Sequence, residues 1–68
     1  MITNWVEVYS SKHMYKIEMI IAFLKDNEIN AVIVNKMDSS YLFGEIEVHV
    51  QPDDVIIAKQ LINKFENE

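Results

Sequence analysis

The sequence contains no cysteine and no arginine, and it has only one glycine and one proline in 68 residues. Without cysteine, neither a disulfide nor a thiolate metal site can supplement the core. Six lysines face 11 acidic residues, which gives a net charge of −5. Binding to nucleic acid or to an anionic membrane begins with clustered cations. We therefore expect neither of these partners.

Long apolar runs are also missing. The longest run covers residues 19–24, which is far too short to cross a bilayer. The N-terminus has no charged segment followed by an apolar stretch, so no signal peptide is visible. A soluble, cytoplasmic protein is the expectation.

Hydrophobic residues, in contrast, make up 50% of the chain. This content excludes disorder and provides for a packed core in a single domain that spans residues 1–68. A chain of this length buries a modest fraction of its surface and is marginally stable alone. A homo-oligomer, with a dimer favoured, is therefore expected.

The first half of the chain predicts a strand and a helix. Residues 5–9 alternate, with Val6 and Val8 on the core side and Trp5, Glu7 and Tyr9 on the other. Ser10 and Ser11 should end this strand, and Ser11 is a candidate N-cap. Apolar residues at helical spacing then predict a helix over residues 12–28, with Asn27 suited to a left-handed cap; the core stripe is Met14, Ile17, Ile20, Ile21 and Leu24.

The second half predicts two strands and a second helix. Residues 31–34 are a short β-branched run, and residues 36–43 read as a loop. Residues 45–50 alternate, with aliphatic side chains inward and Glu45, Glu47 and His49 outward. Pro52 and the acids after it mark the start of a helix that continues to the end of the chain.

The order β-α-β-β-α predicts a two-layer α+β sandwich with two helices on one face of a three-stranded sheet. A right-handed crossover makes strands one and two parallel and leaves room for strand three between them, so the sheet order is 1-3-2. This is a ferredoxin-like arrangement without its last strand. Residues 5–9 would then form an exposed edge at which a second copy could extend the sheet.

Several segments carry a family resemblance: "WVEVYSS", "INAVIVNK", "DSSYLFGEIEVHV" and the "PDD" helix start. They resemble short bacterial domains of unknown function that are described as "putative prokaryotic signal-transducing proteins", with a fold likened to the PII regulators. The resemblance runs over nearly the whole chain and implies a regulatory role. The signalling loop of PII regulators corresponds to residues 36–43, which form a much shorter segment. No glycine-rich or basic stretch of the kind that binds nucleotides is present, so no cofactor is predicted.

Candidate chemistry is sparse. Glu47 and His49 should share the open side of the sheet with Glu45, and Glu7 could lie near them. Carboxylates beside a histidine can hold a divalent metal or transfer protons. However, a flat sheet offers no pocket and no fixed geometry. We expect an acidic surface with cross-strand lysine pairs, and no metal.

The loop serines do not indicate a nucleophile. Neither Ser39 nor Ser40 stands in a nucleophile elbow, and the predicted topology places no histidine near them. Asp38 and the two serines are better suited to hydrogen bonds that shape the turn. We therefore predict that the protein is not an enzyme.

Aromatic residues indicate contact surfaces. Trp5 and Tyr9 should lie on the open side of the sheet, unless the N-terminus or the 36–43 loop folds over Trp5. Tyr41 and Phe43 should point the same way, either onto the sheet end or toward a partner. On the first helix, Tyr15, Met19 and Phe23 form a second apolar stripe, which either the second helix or a partner must cover.

Two hypotheses for function follow. The first is a small non-catalytic regulatory module that contacts proteins through the open sheet face and the 36–43 loop. The alternative is a sensor that binds a small ligand at an oligomer interface near Tyr41 and Phe43. The interaction candidates are Trp5, Glu7, Tyr9, Asp38, Ser39, Ser40, Tyr41, Phe43, Glu47 and His49.

Overall fold

The computed structural model describes residues 4–37 and 44–67. These residues form three strands and two helices in the predicted order β-α-β-β-α. The elements are β1 (Val6–Ser11), α1 (Met14–Asp26), β2 (Ala31–Asn35), β3 (Ile46–Val50), a 3-10 turn (Pro52–Asp54) and α2 (Val55–Glu66).

The three strands form one sheet in the order β1-β3-β2. β3 is antiparallel to both of its neighbours, so β1 and β2 are parallel to each other. The crossover connection through α1 makes β1 and β2 parallel and leaves one strand's width between them, which β3 occupies. The predicted α+β sandwich and strand order are confirmed, and the arrangement matches a ferredoxin-like fold that lacks its last strand.

The core lies between the helices and one face of the sheet. Ile46, Val48 and Val50 of the central strand are 3%, 0% and 0% exposed. The helices bury Ile17, Ile20, Leu24, Ala58 and Ile62 against them. Each large aliphatic side chain buried in this way stabilises the fold by about 1.5–3 kcal/mol.

Both ends of α1 differ from the prediction. β1 continues through Ser10 and Ser11, and the Ser11 hydroxyl accepts a hydrogen bond from the His13 N–H at 3.1 Å instead of capping the helix. At the other end, Glu28 is the left-handed residue, with φ 64°, whereas Asn27 has φ −100°. The Ile29 N–H reaches the Leu24 carbonyl at 2.9 Å, which is the bonding pattern of a Schellman motif. Burial of Ile29 and Leu24 holds Glu28 in this conformation.

Gly44 occupies a position that only glycine can take without strain. Its φ is +92°, and a Cβ atom there would lie 2.5 Å from the carbonyl oxygen of Lys36. Next to this contact, the Lys36 N–H donates to the Glu45 carbonyl at 3.1 Å, which extends the β2–β3 ladder by one residue pair. The glycine therefore allows the chain to enter β3 in register.

Replacing Gly44 with alanine should destabilise the fold by about 1–3 kcal/mol, because the backbone is in a left-handed region and the new methyl group meets a backbone carbonyl. Urea denaturation followed by far-UV circular dichroism measures the change. Gln60→Ala, on the exposed side of α2, is the control and should stay within about 0.5 kcal/mol of the wild type. Equal stabilities for the two variants would contradict this role of Gly44.

Candidate functional site

The sheet face opposite the helices, called here the open face, is the candidate site. β3 contributes Glu47 and His49 to it, since these residues alternate with the buried Ile46, Val48 and Val50. The ladder pairs place their neighbours: Val34 opposite Glu47, and both Val32 and Glu7 opposite His49. Ser10 of β1 pairs with Glu47 from the other side. The predicted grouping of Glu7, Glu47 and His49 on one face is present.

Glu47 is the centre of a small ionic network. Its Oε1 atom accepts a hydrogen bond from His49 Nε2 at 2.8 Å and lies 3.4 Å from Lys36 Nζ. The side chains of Glu47 and His49 are each 16% exposed, whereas that of Lys36 is 60% exposed. Lys36 is diagonal to Glu47 across the strands, which is within reach of a long side chain. The expected lysine pair is therefore present, but its acid is less solvated than we predicted.

The contacts of Glu47 keep it ionised. The hydrogen bond from His49 lowers the pKa of the Glu47 carboxyl, and the nearby Lys36 ammonium lowers it further, against the opposing effect of burial. A carboxylate held in this way has a fixed direction and a fixed charge at neutral pH. The middle of the open face thus presents an oriented polar group instead of a mobile acid.

Tyr9 does not lie on the open face, which makes its predicted orientation wrong. The register of β1 against β3 shifts between Glu7 and Tyr9, so Glu7 pairs with His49 and Tyr9 pairs with Val48. This β-bulge places one extra residue in β1 and reverses the side-chain alternation after it. Tyr9 packs against the core, and its hydroxyl donates to Glu66 Oε2 of α2 at 2.9 Å. Burial, followed by the contact with Glu66, raises the Tyr9 pKa.

The aromatic candidates have different outcomes. Trp5 lies one residue before β1 and is half-buried. Asp38, Ser39, Ser40, Tyr41 and Phe43 lie outside the described residues, so their predicted roles stay predictions. At the end of β2, just before these residues, the Asn35 Oδ1 atom accepts a hydrogen bond from the Met37 N–H at 2.9 Å.

A groove between β1 and the two helices was not predicted as a site. It has a volume of about 180 Å³ and is lined by residues that include Tyr9, Tyr15, Met19 and Phe65. Phe23 packs on Phe65 with ring centroids 5.0 Å apart, so α2 covers this end of the predicted apolar stripe. Tyr15 and Met19 remain at least half exposed. The helical spacing of the stripe was the sequence signal for this groove.

Two negative observations apply to the described part of the chain. It contains no group of three or more His, Cys, Asp and Glu side chains that are placed to hold a metal ion. Neither of its helices has both the length and the apolar character that crossing a bilayer requires.

The match to a known family covers the whole of this architecture. A family model described as "Putative prokaryotic signal transducing protein" matches residues 5–66. The chain belongs to this family. The matched range includes every strand and helix of the structure, together with all the open-face residues. No curated protein and no solved structure matches the chain.

The Glu47 contacts predict a dependence of stability on pH. Since the folded pKa lies below the ordinary 4.5, the interaction stabilises the fold above pH 4.5, and this contribution is lost as pH falls through the lowered value. Thermal unfolding of wild type and Glu47→Gln should therefore differ most above pH 4.5 and converge as pH falls further below that value. Glu45→Gln is the control, because it removes a neighbouring charge and leaves the contacts to His49 and Lys36 intact. Parallel curves for the two variants would contradict the assignment.

Proposed function

We propose that this chain is a small, non-catalytic module of signal transduction that acts through protein–protein contacts of its open face. The observation that carries the proposal is the composition of this face. Val32 and Val34 offer a half-buried apolar strip, and the Glu47–His49 pair beside them offers an oriented polar group. An apolar area with a few fixed polar groups is the usual anatomy of a protein interface.

The size of the open face supports a reversible contact. With strands about 4.8 Å apart and a rise of about 3.3 Å per residue, three strands of five or six residues cover roughly 15 by 17–20 Å. Stable complexes bury about 800 Å² on each partner, which is more than this area provides. A partner held through this face alone would dissociate readily, as regulation requires. The predicted contribution of residues 36–43 would add to the same contact, and Lys36 already lies at its margin.

The non-catalytic part of the proposal rests on the surroundings of His49. Its Nε2 atom is hydrogen-bonded to a carboxylate of the same strand, and His49 lines neither the groove beside Tyr9 nor the hollow between Lys25 and Asp54. A general base needs a site where a reacting atom can be held within hydrogen-bond distance and shielded from water. The same pair is well suited to orienting a partner's donor or acceptor.

A small-ligand sensor is the second candidate, and the groove lined by Tyr9, Tyr15, Met19 and Phe65 is the observation in its favour. Its volume of about 180 Å³ lies below the roughly 300 Å³ at which ligand pockets usually begin. A fragment-sized apolar ligand would fit. Ligand-dependent thermal stabilisation that is lost in Met19→Lys but kept in Glu7→Lys would support this candidate.

A matched pair of charge reversals tests the proposed function. Glu7→Lys places a cation on the open face opposite His49, and Glu18→Lys makes the same change on the exposed side of α1. Tagged variants are used to recover complexes from the source cells, and the captured proteins are quantified by mass spectrometry. A partner bound to the open face should be recovered about tenfold less with Glu7→Lys, which corresponds to about 1.4 kcal/mol. Recovery with Glu18→Lys should equal that of wild type.

Circular dichroism and thermal unfolding establish that both variants remain folded. Equal recovery with the two variants, or an equal loss, would contradict the open face as the contact surface.

A further inference from the structure

The outer edge of β2 carries a regular row of backbone groups that pair with no described strand. The Lys36 N–H donates to Glu45 of β3, so residue 36 directs its backbone groups inward. In an antiparallel ladder this direction alternates, so Val32 and Val34 also bond to β3. Ala31, Ile33 and Asn35 therefore direct three N–H groups and three carbonyl groups away from the sheet.

The opposite edge of the sheet is less regular. Residues 45, 47 and 49 of β3 direct their backbone groups to β2, so Ile46, Val48 and Val50 direct theirs to β1. Their partners in β1 are Ser11, Tyr9 and Val6, and the bulge falls between the last two. Bulges of this kind interrupt an edge and hinder further pairing. The sequence predicted that a second copy could extend the sheet at the β1 edge, but the bulge in β1 hinders pairing there.

The side chains of β2 are suited to an apolar seam. None of the five residues from Ala31 to Asn35 is charged. Ile33 lies on the helix side, opposite the fully buried Val48, yet it remains 42% exposed because it stands at the edge. Val32 and Val34 are half-buried on the open face. An uncharged, β-branched edge without proline or glycine is a template for strand pairing.

We propose that a second copy of this chain pairs antiparallel with the β2 edge about a two-fold axis at Ile33. In this register Ile33 faces its own copy, and Ala31 faces Asn35 of the second copy. Each of these positions carries outward N–H and carbonyl groups, so six hydrogen bonds form and every outward group of the edge is used. Val32 faces Val34 of the second copy on the open face, and the sheet becomes six-stranded.

Charge complementarity favours a second copy in this orientation. Glu28 precedes the strand and Lys36 follows it, and both are exposed. In this register Lys36 lies opposite Asn30 of the second copy, two residues from that copy's Glu28, and the two-fold axis repeats this arrangement. A parallel pair would instead bring like charges together. The seam itself contains no charged residue, so the residues that give each chain its net charge of −5 all lie outside it.

The interface is small, which sets its strength. A five-residue seam buries less than the roughly 1,200 Å² of a standard interface, so the dissociation constant of the dimer should be micromolar or higher. Its population would then follow the amount of protein present.

Register-specific disulfide formation tests the proposal. The natural chain has no cysteine, so each introduced thiol is unique. Val32 and Val34 of the second copy form a pair without mutual hydrogen bonds, with Cα atoms about 4.5 Å apart, which a disulfide can bridge. Two copies of Val32 are diagonal to each other at about 7–8 Å, which is beyond that reach.

Mixing Val32→Cys with Val34→Cys under mild oxidation should therefore give mixed disulfides well beyond the roughly twofold excess of random pairing. Non-reducing electrophoresis and mass spectrometry measure the ratio. A ratio of mixed to identical disulfides equal to that of random pairing would overturn the proposed register.

Sedimentation equilibrium on matched edge variants tests the surface independently. Wild type should show a mass that rises toward twice that of the monomer as concentration increases. Ile33→Lys should stay monomeric, because a charge at the centre of the seam blocks pairing. Ser10→Lys adds the same charge to the β1 edge and should dimerise like wild type.

A monomeric wild type up to about 1 mM would overturn the proposal, even if an extended peptide from another protein bound the same edge. Loss of dimer in Ser10→Lys, with retention in Ile33→Lys, would assign association to β1 and would overturn it equally. Dichroism spectra accompany each measurement, and the disulfide ratio decides the matter if Ile33→Lys fails to fold.

Discussion

β3 is the one strand of the described sheet that is bonded on both sides, and the rest of the structure depends on it. Its side chains alternate between the core and the open face, so the burial of Ile46, Val48 and Val50 fixes the orientation of Glu47 and His49. Its backbone groups alternate in the same way between β1 and β2. A shift of the strand by one residue would expose three core aliphatics and bury two polar side chains. This cost holds the open face, the core and both edges in a single register.

The sheet could be predicted because the apolar residues of β3 and of the helices recur with the spacing typical of a strand and of a helix. Six alternating residues before Pro52 specified β3 and its two faces, and apolar residues at helical spacing specified the buried side of each helix. The order 1-3-2 followed from a crossover that makes β1 and β2 parallel and leaves room for β3 between them. These features depend on hydrophobic burial. Many residues contribute to it, so the pattern can be recognised even where a single residue departs from it.

Features that depend on one residue were not predictable in the same way. The bulge in β1 lies between Glu7 and Tyr9, where neither glycine nor proline marks it. It becomes visible only when β1 is aligned with β3. The packing of Tyr9 against the core and its hydrogen bond to Glu66 stabilise the shifted register. Similarly, Glu28 takes the left-handed position in place of Asn27 because burial of Ile29 decides which residue must turn. In both cases a tertiary contact overrides the local preference.

The two proposed surfaces share β2, and this couples them. Val32 and Val34 present side chains to the open face, while the residues between them present backbone groups to the edge. A dimer through that edge would join two open faces into one surface of six strands, roughly 29 Å wide. A partner large enough to cover both halves would bury about twice the area available on one chain and would bind more tightly to the dimer. By linkage, such a partner would strengthen the dimer to the same degree. The small size of each interface, a weakness for a structural protein, would in this way make association responsive to concentration.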